Sequence, residues 1–142
     1  MAGLGNYVKR WRTALHVTVS ALIVAILGLA ITPVAHAAAA TATLSVSHAW
    51  QTGFIAHFAI TNSSMVPLTD WRLEFDLPVG ESVSHTWNSS FTQTGTHVVL
   101  TPANWNRIIA PGGSATGGLR GVLTGAYSPP VNCVLNGQYF CT

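Results

Sequence analysis

The chain has 142 residues, of which only 7% are charged, and its formal net charge is +2. Three of its six basic residues are Lys9, Arg10 and Arg12, so residues 38–142 carry three arginines against four carboxylates, a formal charge of −1. A chain without a basic stripe is not expected to bind nucleic acid or an anionic membrane. Its surface must instead be covered by neutral hydroxyl and amide side chains, which suit neutral, hydroxyl-rich ligands.

The N-terminal segment has the pattern of a secretory signal peptide. Its basic residues precede an apolar stretch at residues 21–31, and Ala35-His36-Ala37 places small residues where a signal peptidase reads. This stretch is shorter than the roughly 20 residues that span a membrane. We therefore predict a cleaved signal and a secreted, extracellular protein that is not held in a membrane, with a retained N-terminal anchor as the alternative. The predicted boundaries are 1–37 for the signal peptide, 38–42 for a short linker and 43–142 for one domain.

Apolar and polar residues alternate with period two in the rest of the chain, most clearly over residues 54–60 and 71–77. Turn signals separate these short stretches, at Asn62-Ser63-Ser64, Pro78-Val79-Gly80, Thr94-Gly95-Thr96 and Pro111-Gly112-Gly113. No stretch after residue 37 has an apolar stripe of helical period. Many short strands with regular turns predict an all-β fold, a sandwich or a barrel.

Four tryptophans of the predicted domain fall into two groups. Trp71 begins the alternating segment WRLEFDL and is predicted to lie in the core. Trp50, Trp87 and Trp105 lie in the polar contexts HAWQTGF, SHTWNSS and ANWNRIIAPGG, and we expect them to be exposed at strand ends and turns. Exposed indoles call for a partner, and an indole stacks well on the apolar C–H face of a pyranose. These three predict a sugar-binding face; core-rim residues or a dimer contact are the alternatives.

Cys133 and Cys141 are the two cysteines of the chain, and a disulfide is expected in an exported protein. Asn136-Gly137 between them is a strong hairpin signal. A three-residue loop at 136–138 would place the two cysteines opposite one another. Two cysteines and scattered histidines do not predict a zinc site, and we expect no metal or cofactor.

Glycoside hydrolysis needs two carboxyl groups across a cleft. Glu74 and Asp76 alternate along one predicted strand, and we interpret them as part of a solvated strand face shared with Asp70 and Arg72. We therefore expect no catalytic residues. Three hypotheses follow: a polysaccharide-binding module, a glycoside hydrolase of chitinase or cellulase type or its accessory protein, and an interaction module that docks on a host glycoprotein or receptor.

Seven segments of the sequence, taken in their order along the chain, resemble those of a known protein family. The segments are AWQTGF, FAITNSS, TDWRLEFDLP, TWNSSFTQTGTHV, ANWNRIIAPGG, GLRGVLTG and VLNGQYFC. Together they resemble the family 2 carbohydrate-binding modules of secreted bacterial cellulases, xylanases and chitinases, and the chain is similar to the short single-module secreted members in mycobacteria. The resemblance implies an antiparallel β-sandwich of about nine strands, of immunoglobulin-like jelly-roll type, that binds insoluble or extended polysaccharide. We expect the module to be a monomer.

The resemblance also assigns expected roles to residues. It implies that Trp50, Trp87 and Trp105 line up on a flat face, while Gly53 stands where the xylan-binding branch has an arginine that turns the first ring. Gly53 and Trp105 together favour the cellulose or chitin branch. Four polar flanking positions depart from the amides usual in the family: His48, His85, Thr116 and Arg120. Because these groups differ from amides in reach and charge, the preferred glycan stays open and includes acetamido or acidic sugars.

Overall fold

The computed structural model describes Gly28 and residues 39–142. The predicted signal peptide therefore lies outside the described residues, apart from Gly28. Within the described part of the chain, no helix is long and apolar enough to cross a membrane.

Residues 40–140 form eleven strands. They are β1 (Ala40–Trp50), β2 (Gly53–Asn62), β3 (Leu68–Thr69), β4 (Leu73–Asp76), β5 (Glu81–Trp87), β6 (Ser89–Thr94), β7 (His97–Pro102), β8 (Ile108–Ile109), β9 (Ser114–Leu123), β10 (Val131–Leu135) and β11 (Tyr139–Phe140). One sheet has the order β1-β2-β9-β5, and a second has the order β11-β10-β4-β7-β6. All their ladders are antiparallel. These nine strands confirm the predicted antiparallel β-sandwich, and β3 pairs with β8 in a small additional sheet.

The core lies between the two sheets and is built from alternate residues of their strands. Phe54 and Phe58 of β2 and Phe75 of β4 are almost completely buried. Trp71 is fully buried, its ring centroid lies 5.5 Å from that of Phe58, and its Nε1 donates to the backbone oxygen of Asn106 at 2.8 Å. The core position predicted for Trp71 is confirmed, and its one polar atom has a partner, as a buried indole requires.

The N-terminal boundary of the domain differs from the prediction. β1 begins at Ala40, within the predicted linker 38–42, and Ala40 and Ala42 are buried. They pair with Asn62 and Ile60 of β2. Alanine has the same small side chain in a spacer and in a tightly packed strand, so composition alone does not separate the two.

The C-terminal hairpin forms as predicted. Cys133 and Cys141 are joined by a disulfide. The neighbouring residues pair in the expected register, and Asn136 and Gly137 have positive φ angles of 52° and 64°. Closing so short a loop stabilises a fold by about 2.6 kcal/mol in the chain-entropy model. The disulfide thus holds the short strand β11 at the edge of its sheet.

Candidate functional site

The outer face of the β1-β2-β9-β5 sheet collects most of the predicted site residues, and two β-bulges decide which ones. The register shifts between Val46 and His48 in β1, and between Val83 and His85 in β5. Val46 and Val83 pack toward the core, so simple alternation would turn the residues two and four positions later inward as well. Each bulge adds one residue and reverses this alternation. As a result, both edge strands end with a histidine and a tryptophan on the outer face.

The first of these tryptophans lies against a glycine of the neighbouring strand. Trp50 pairs with Gly53 across the β1-β2 turn, and its Nε1 donates to Thr52 Oγ1 at 3.1 Å. A Cβ added to Gly53 would lie 2.7 Å from Cζ2 of the indole, closer than side chains approach one another. The absence of a side chain at Gly53 therefore lets the ring pack directly on the backbone.

The second tryptophan repeats this arrangement on the other side of the sheet. Trp87 pairs with Gly118 of β9, and a Cβ at Gly118 would collide with Cζ2 of the Trp87 ring. His57 of β2 meets the same indole edge-on, with centroids 5.6 Å apart. Because each ring rests on backbone, Trp50 and Trp87 are half-buried, whereas the sequence predicted that they would be exposed.

The register gives the separation of the two rings. Gly53 pairs with Val122 of β9, four residues beyond Gly118 on the same strand. At about 3.3 Å per residue and about 4.8 Å between strands, the two glycines lie roughly 14 Å apart, diagonally across the sheet. Two indoles at this spacing can contact different sugar units of one extended polymer.

Trp105 lies in the loop between β7 and β8 and is 75% exposed. Its neighbour Asn106 donates from Nδ2 to the backbone oxygen of Asn88 at 2.7 Å. Asn88 directly follows Trp87, has a φ of 59°, and donates from its own Nδ2 to the Thr116 oxygen at 3.0 Å. These contacts fix the Trp105 loop to the end of β5 that carries Trp87.

Sequence reasoning missed Asn88 and Asn106. Their signal is modest, because an asparagine beside a tryptophan in a polar turn has many explanations. Asn88 adopts the left-handed conformation that asparagine tolerates better than most residues. Both side chains act through backbone oxygens distant in sequence, so only the folded chain reveals their positioning role.

Three of the four polar flanking residues form a row across the same face. His48 pairs with Ile55 of β2, Ile55 pairs with Arg120 of β9, and Arg120 pairs with His85 of β5. The guanidinium carbon of Arg120 lies 5.6 Å from the centroid of the Trp50 ring, and the His48 ring lies 5.6 Å away from it on β1. His48, His85 and Arg120 are all exposed.

A shallow depression of about 340 Å³ lies beside Trp87. Its lining includes the hydroxyl-bearing residues Thr43, Ser45 and Thr116, together with His57 and Trp87. The structure therefore brings Thr116 to the same face as the other predicted flanking residues. Such a surface offers apolar area beside several hydroxyl groups, a combination that suits sugars.

The carboxylates occupy other regions of the described domain. Asp70, in the turn before β4, pairs with Arg107 at 2.9 Å. The prediction that it shares a strand face with Glu74 is therefore wrong. Glu74 and Asp76 lie on β4, in the second sheet, and Glu81 is buried.

Glu74 and Asp76 form a closed cluster with His97 of β7. Nδ1 of His97 lies 2.7 Å from Asp76 Oδ1, and Nε2 lies 3.2 Å from Glu74 Oε1. The Arg72 guanidinium, 3.1 Å from Glu74, and then His97 hold the pKa of Glu74 below its usual value. Hydrogen bonds from Asn132 and His97 likewise lower the pKa of Asp76, while Asp76 and Glu74 raise the pKa of His97.

This cluster does not have the features of a glycosidase acid-base pair. A general acid needs a carboxyl group whose pKa is raised, whereas both carboxylates are stabilised in the ionised form. His97 of β7 instead links its strand to β4 through these two carboxylates. The interpretation of Glu74 and Asp76 as a solvated strand face with Arg72 agrees with this geometry.

Residues 40–141 match the family of cellulose binding domains. The chain belongs to this family. It is 79% identical, over the full length of both chains, to a cellulose/chitin binding protein of Mycobacterium tuberculosis. Its fold is similar to the chitin-binding domain of Chi18aC from Streptomyces coelicolor, with a TM-score of 0.60 and 35% identity over 72% of this chain and 96% of that one.

The cellulose-binding family 2 carbohydrate binding domain of ScLPMO10C has a similar fold. Its TM-score is 0.57, with 27% identity over 70% of this chain and 98% of that one. These likenesses confirm the family 2 carbohydrate-binding module inferred from the sequence. The chain is thus a non-catalytic polysaccharide-binding module.

Proposed function

We propose that this module binds insoluble β-1,4-glycan of the cellulose or chitin type by stacking sugar rings on Trp50, Trp87 and Trp105. The observation that carries the proposal is the pairing of two half-buried indoles with two glycines on one sheet face. An indole packed on backbone is held in a fixed orientation, so little side-chain entropy remains to be lost on binding. His48, His85, Thr116 and Arg120 would donate or accept hydrogen bonds at the hydroxyl groups of the glycan.

The energetics favour a polymer over a short sugar. Covering about 100 Å² of apolar area per ring contributes roughly 2.5 kcal/mol, while association costs on the order of 4 to 15 kcal/mol. A single sugar unit on one ring would therefore bind weakly. An extended chain that contacts all three rings at once incurs the association cost only once.

The relatives support both ligand types. The mycobacterial relative is named for cellulose and chitin, the Streptomyces coelicolor domain for chitin, and the ScLPMO10C domain for cellulose. Both polymers are β-1,4-linked and extended, with apolar C–H faces on their rings. Gly53 and Trp105 support the same choice, since Gly53 leaves room for the Trp50 ring and Trp105 adds a third stacking surface.

We further propose that the protein acts outside the cell as a secreted monomer, after cleavage near Ala37, and is not retained by a membrane. The disulfide between Cys133 and Cys141 supports an oxidising location. A module that recognises a solid polymer also has no access to its ligand from the cytoplasm. Mass spectrometry of the protein from culture medium, with size-exclusion chromatography, tests the cleavage position and the monomer together.

The stacking proposal is tested by depletion binding to microcrystalline cellulose and β-chitin. We expect the triple variant Trp50→Ala, Trp87→Ala, Trp105→Ala to lose more than about 90% of binding, since a loss of even 1.4 kcal/mol is tenfold. Phe140→Ala is the matched control, because Phe140 is an aromatic residue that is 81% exposed on the other sheet. Retained binding by the triple variant would refute the proposal.

A further inference from the structure

The row His48-Ile55-Arg120-His85 crosses the sheet between the two indoles. Gly53 and Val122, under Trp50, lie two residues to one side of the row, and His57 and Gly118, beside Trp87, lie two residues to the other. A polymer that contacts both rings must therefore cross the row at Ile55 and Arg120, and Arg120 is the charged side chain on that path. From this placement we propose that the face prefers a β-1,4-glycan bearing carboxylate groups, and that Arg120 selects it; this rests on the proposed stacking function.

Arg120 differs from the other arginines of the described domain. Arg72 pairs with Glu74, and Arg107 pairs with Asp70, each within about 3 Å. Arg120 forms no ion pair among the described residues, and its guanidinium lies against the Trp50 ring instead. A cation held over an indole is attracted by the ring quadrupole and is also kept near any sugar stacked on that ring.

The distribution of charge also supports a preference for a glycan that bears carboxylates. No carboxylate of residues 39–142 lies on the Arg120 face, because the four acidic side chains are paired on the second sheet, paired in a turn or buried. Residues 38–142 nevertheless have a formal charge of −1, three arginines against four carboxylates. The module as a whole therefore does not attract anions, and a preference for an anionic polymer must come from this one face.

The chemistry of the row fits a carboxylate better than a hydroxyl. The guanidinium is always charged and presents parallel N–H groups that match two carboxylate oxygens. His48 and His85 add imidazole groups to the same row, and an imidazole can donate to or accept from a sugar hydroxyl. A neutral glycan would be served equally well by an amide, which carries no charge to desolvate.

The test compares two solids with the same backbone: cellulose oxidised to carboxylate at C6, and the untreated cellulose from which it was made. At a salt concentration of about 20 mM we expect wild-type protein to bind the oxidised form at least about fivefold more tightly, roughly 1 kcal/mol. At about 0.5 M salt, where the Debye length falls well below 10 Å, the ratio should approach one. Carboxymethylated cellulose, with its carboxylate on an ether arm, shows which position of the charge is preferred.

Variants then assign the preference to one side chain. Arg120→Gln should reduce the ratio of the two affinities to near one, and Arg120→Lys should keep part of it because the charge remains. Arg72→Gln is the matched control, since it removes the same charge from the opposite sheet and should leave the ratio unchanged.

The outcomes separate this inference from the proposed function. If wild-type protein binds both solids equally, or if Arg72→Gln lowers the ratio as much as Arg120→Gln does, the carboxylate preference is wrong while the stacking proposal stands. If wild-type protein binds neither solid, the carboxylate preference is wrong, and if it also fails to bind β-chitin the stacking proposal fails with it.

Discussion

The two outer faces of the sandwich differ in whether their polar side chains are paired within the domain. On the β4-β7 face, His97 contacts two carboxylates, Arg72 donates to the same Glu74 oxygen as His97, and Asn132 donates to the second oxygen of Asp76. On the β1-β2-β9-β5 face, Arg120 contacts the Trp50 indole and His57 contacts the Trp87 indole, and none of the four acidic side chains of the described residues lies on this face. The comparison shows that one face is stabilised by contacts within the domain, while the other leaves its stacking and hydrogen-bonding groups available for a partner.

The largest effect on binding is expected when one indole is displaced from the backbone on which it packs. Gly118→Ala places a methyl group in the space of the Trp87 ring and near the Ala56 carbonyl, so the ring must move. We expect binding to cellulose to fall about tenfold or more, about 1.4 kcal/mol, with a lower melting temperature. Gly125→Ala is the control, because a Cβ there meets open space. Unchanged binding by a folded Gly118→Ala protein would show that the ring position does not matter.

A second test loosens the Trp105 loop without touching an indole. Asn106→Ala removes the bond to the Asn88 oxygen and should cost roughly 1 to 2 kcal/mol of unfolding free energy. Binding should also weaken, about threefold, because Trp105 loses its fixed position beside Trp87. Denaturant unfolding and binding isotherms measure both effects. Equal losses of binding in Asn106→Ala and Trp105→Ala would mean that the loop positions the ring entirely.

A third test addresses the opposite face. His97→Gln removes the link between β4 and β7, and because these groups are largely exposed we expect the melting temperature to fall by less than about 4 °C. Binding to cellulose and chitin should not change. A loss of binding in a normally folded His97→Gln protein would contradict the division of roles between the faces.

The smallest effect expected is the pH dependence of that same link. The raised pKa of His97 makes its stabilising contribution complete below its unfolded value near 6.5 and lost as pH rises through the folded value. The lowered pKa values of Glu74 and Asp76 make theirs complete above about 4.5 and lost as pH falls. The melting-temperature difference between wild type and His97→Gln should therefore be largest between about pH 5 and 6. A difference that grows toward pH 8 would reverse this sign.

The strands that carry the site show how much of the structure can be predicted from the sequence. The alternation of residues 54–60 and 71–77 predicted β2, β4 and the core position of Trp71 correctly. Period-two alternation in β1 holds only as far as Val46, and the bulge that follows, which the sequence did not predict, turns His48 to the outer face. Asn106 and Asn88 were also missed, since their hydrogen bonds join loops that are far apart in sequence.

The sequence by itself determined what depends on neighbouring residues: strands from period-two alternation, the Cys133–Cys141 hairpin from Asn136-Gly137, and the contrast between Trp71 and the other indoles. Only the tertiary structure decided that two bulges turn Trp50 and Trp87 outward onto Gly53 and Gly118, with Arg120 beside the first ring. The physical reason is that bulges and cross-strand contacts depend on which strands pair and in what register. That choice is made by packing across the whole sandwich rather than by any single segment.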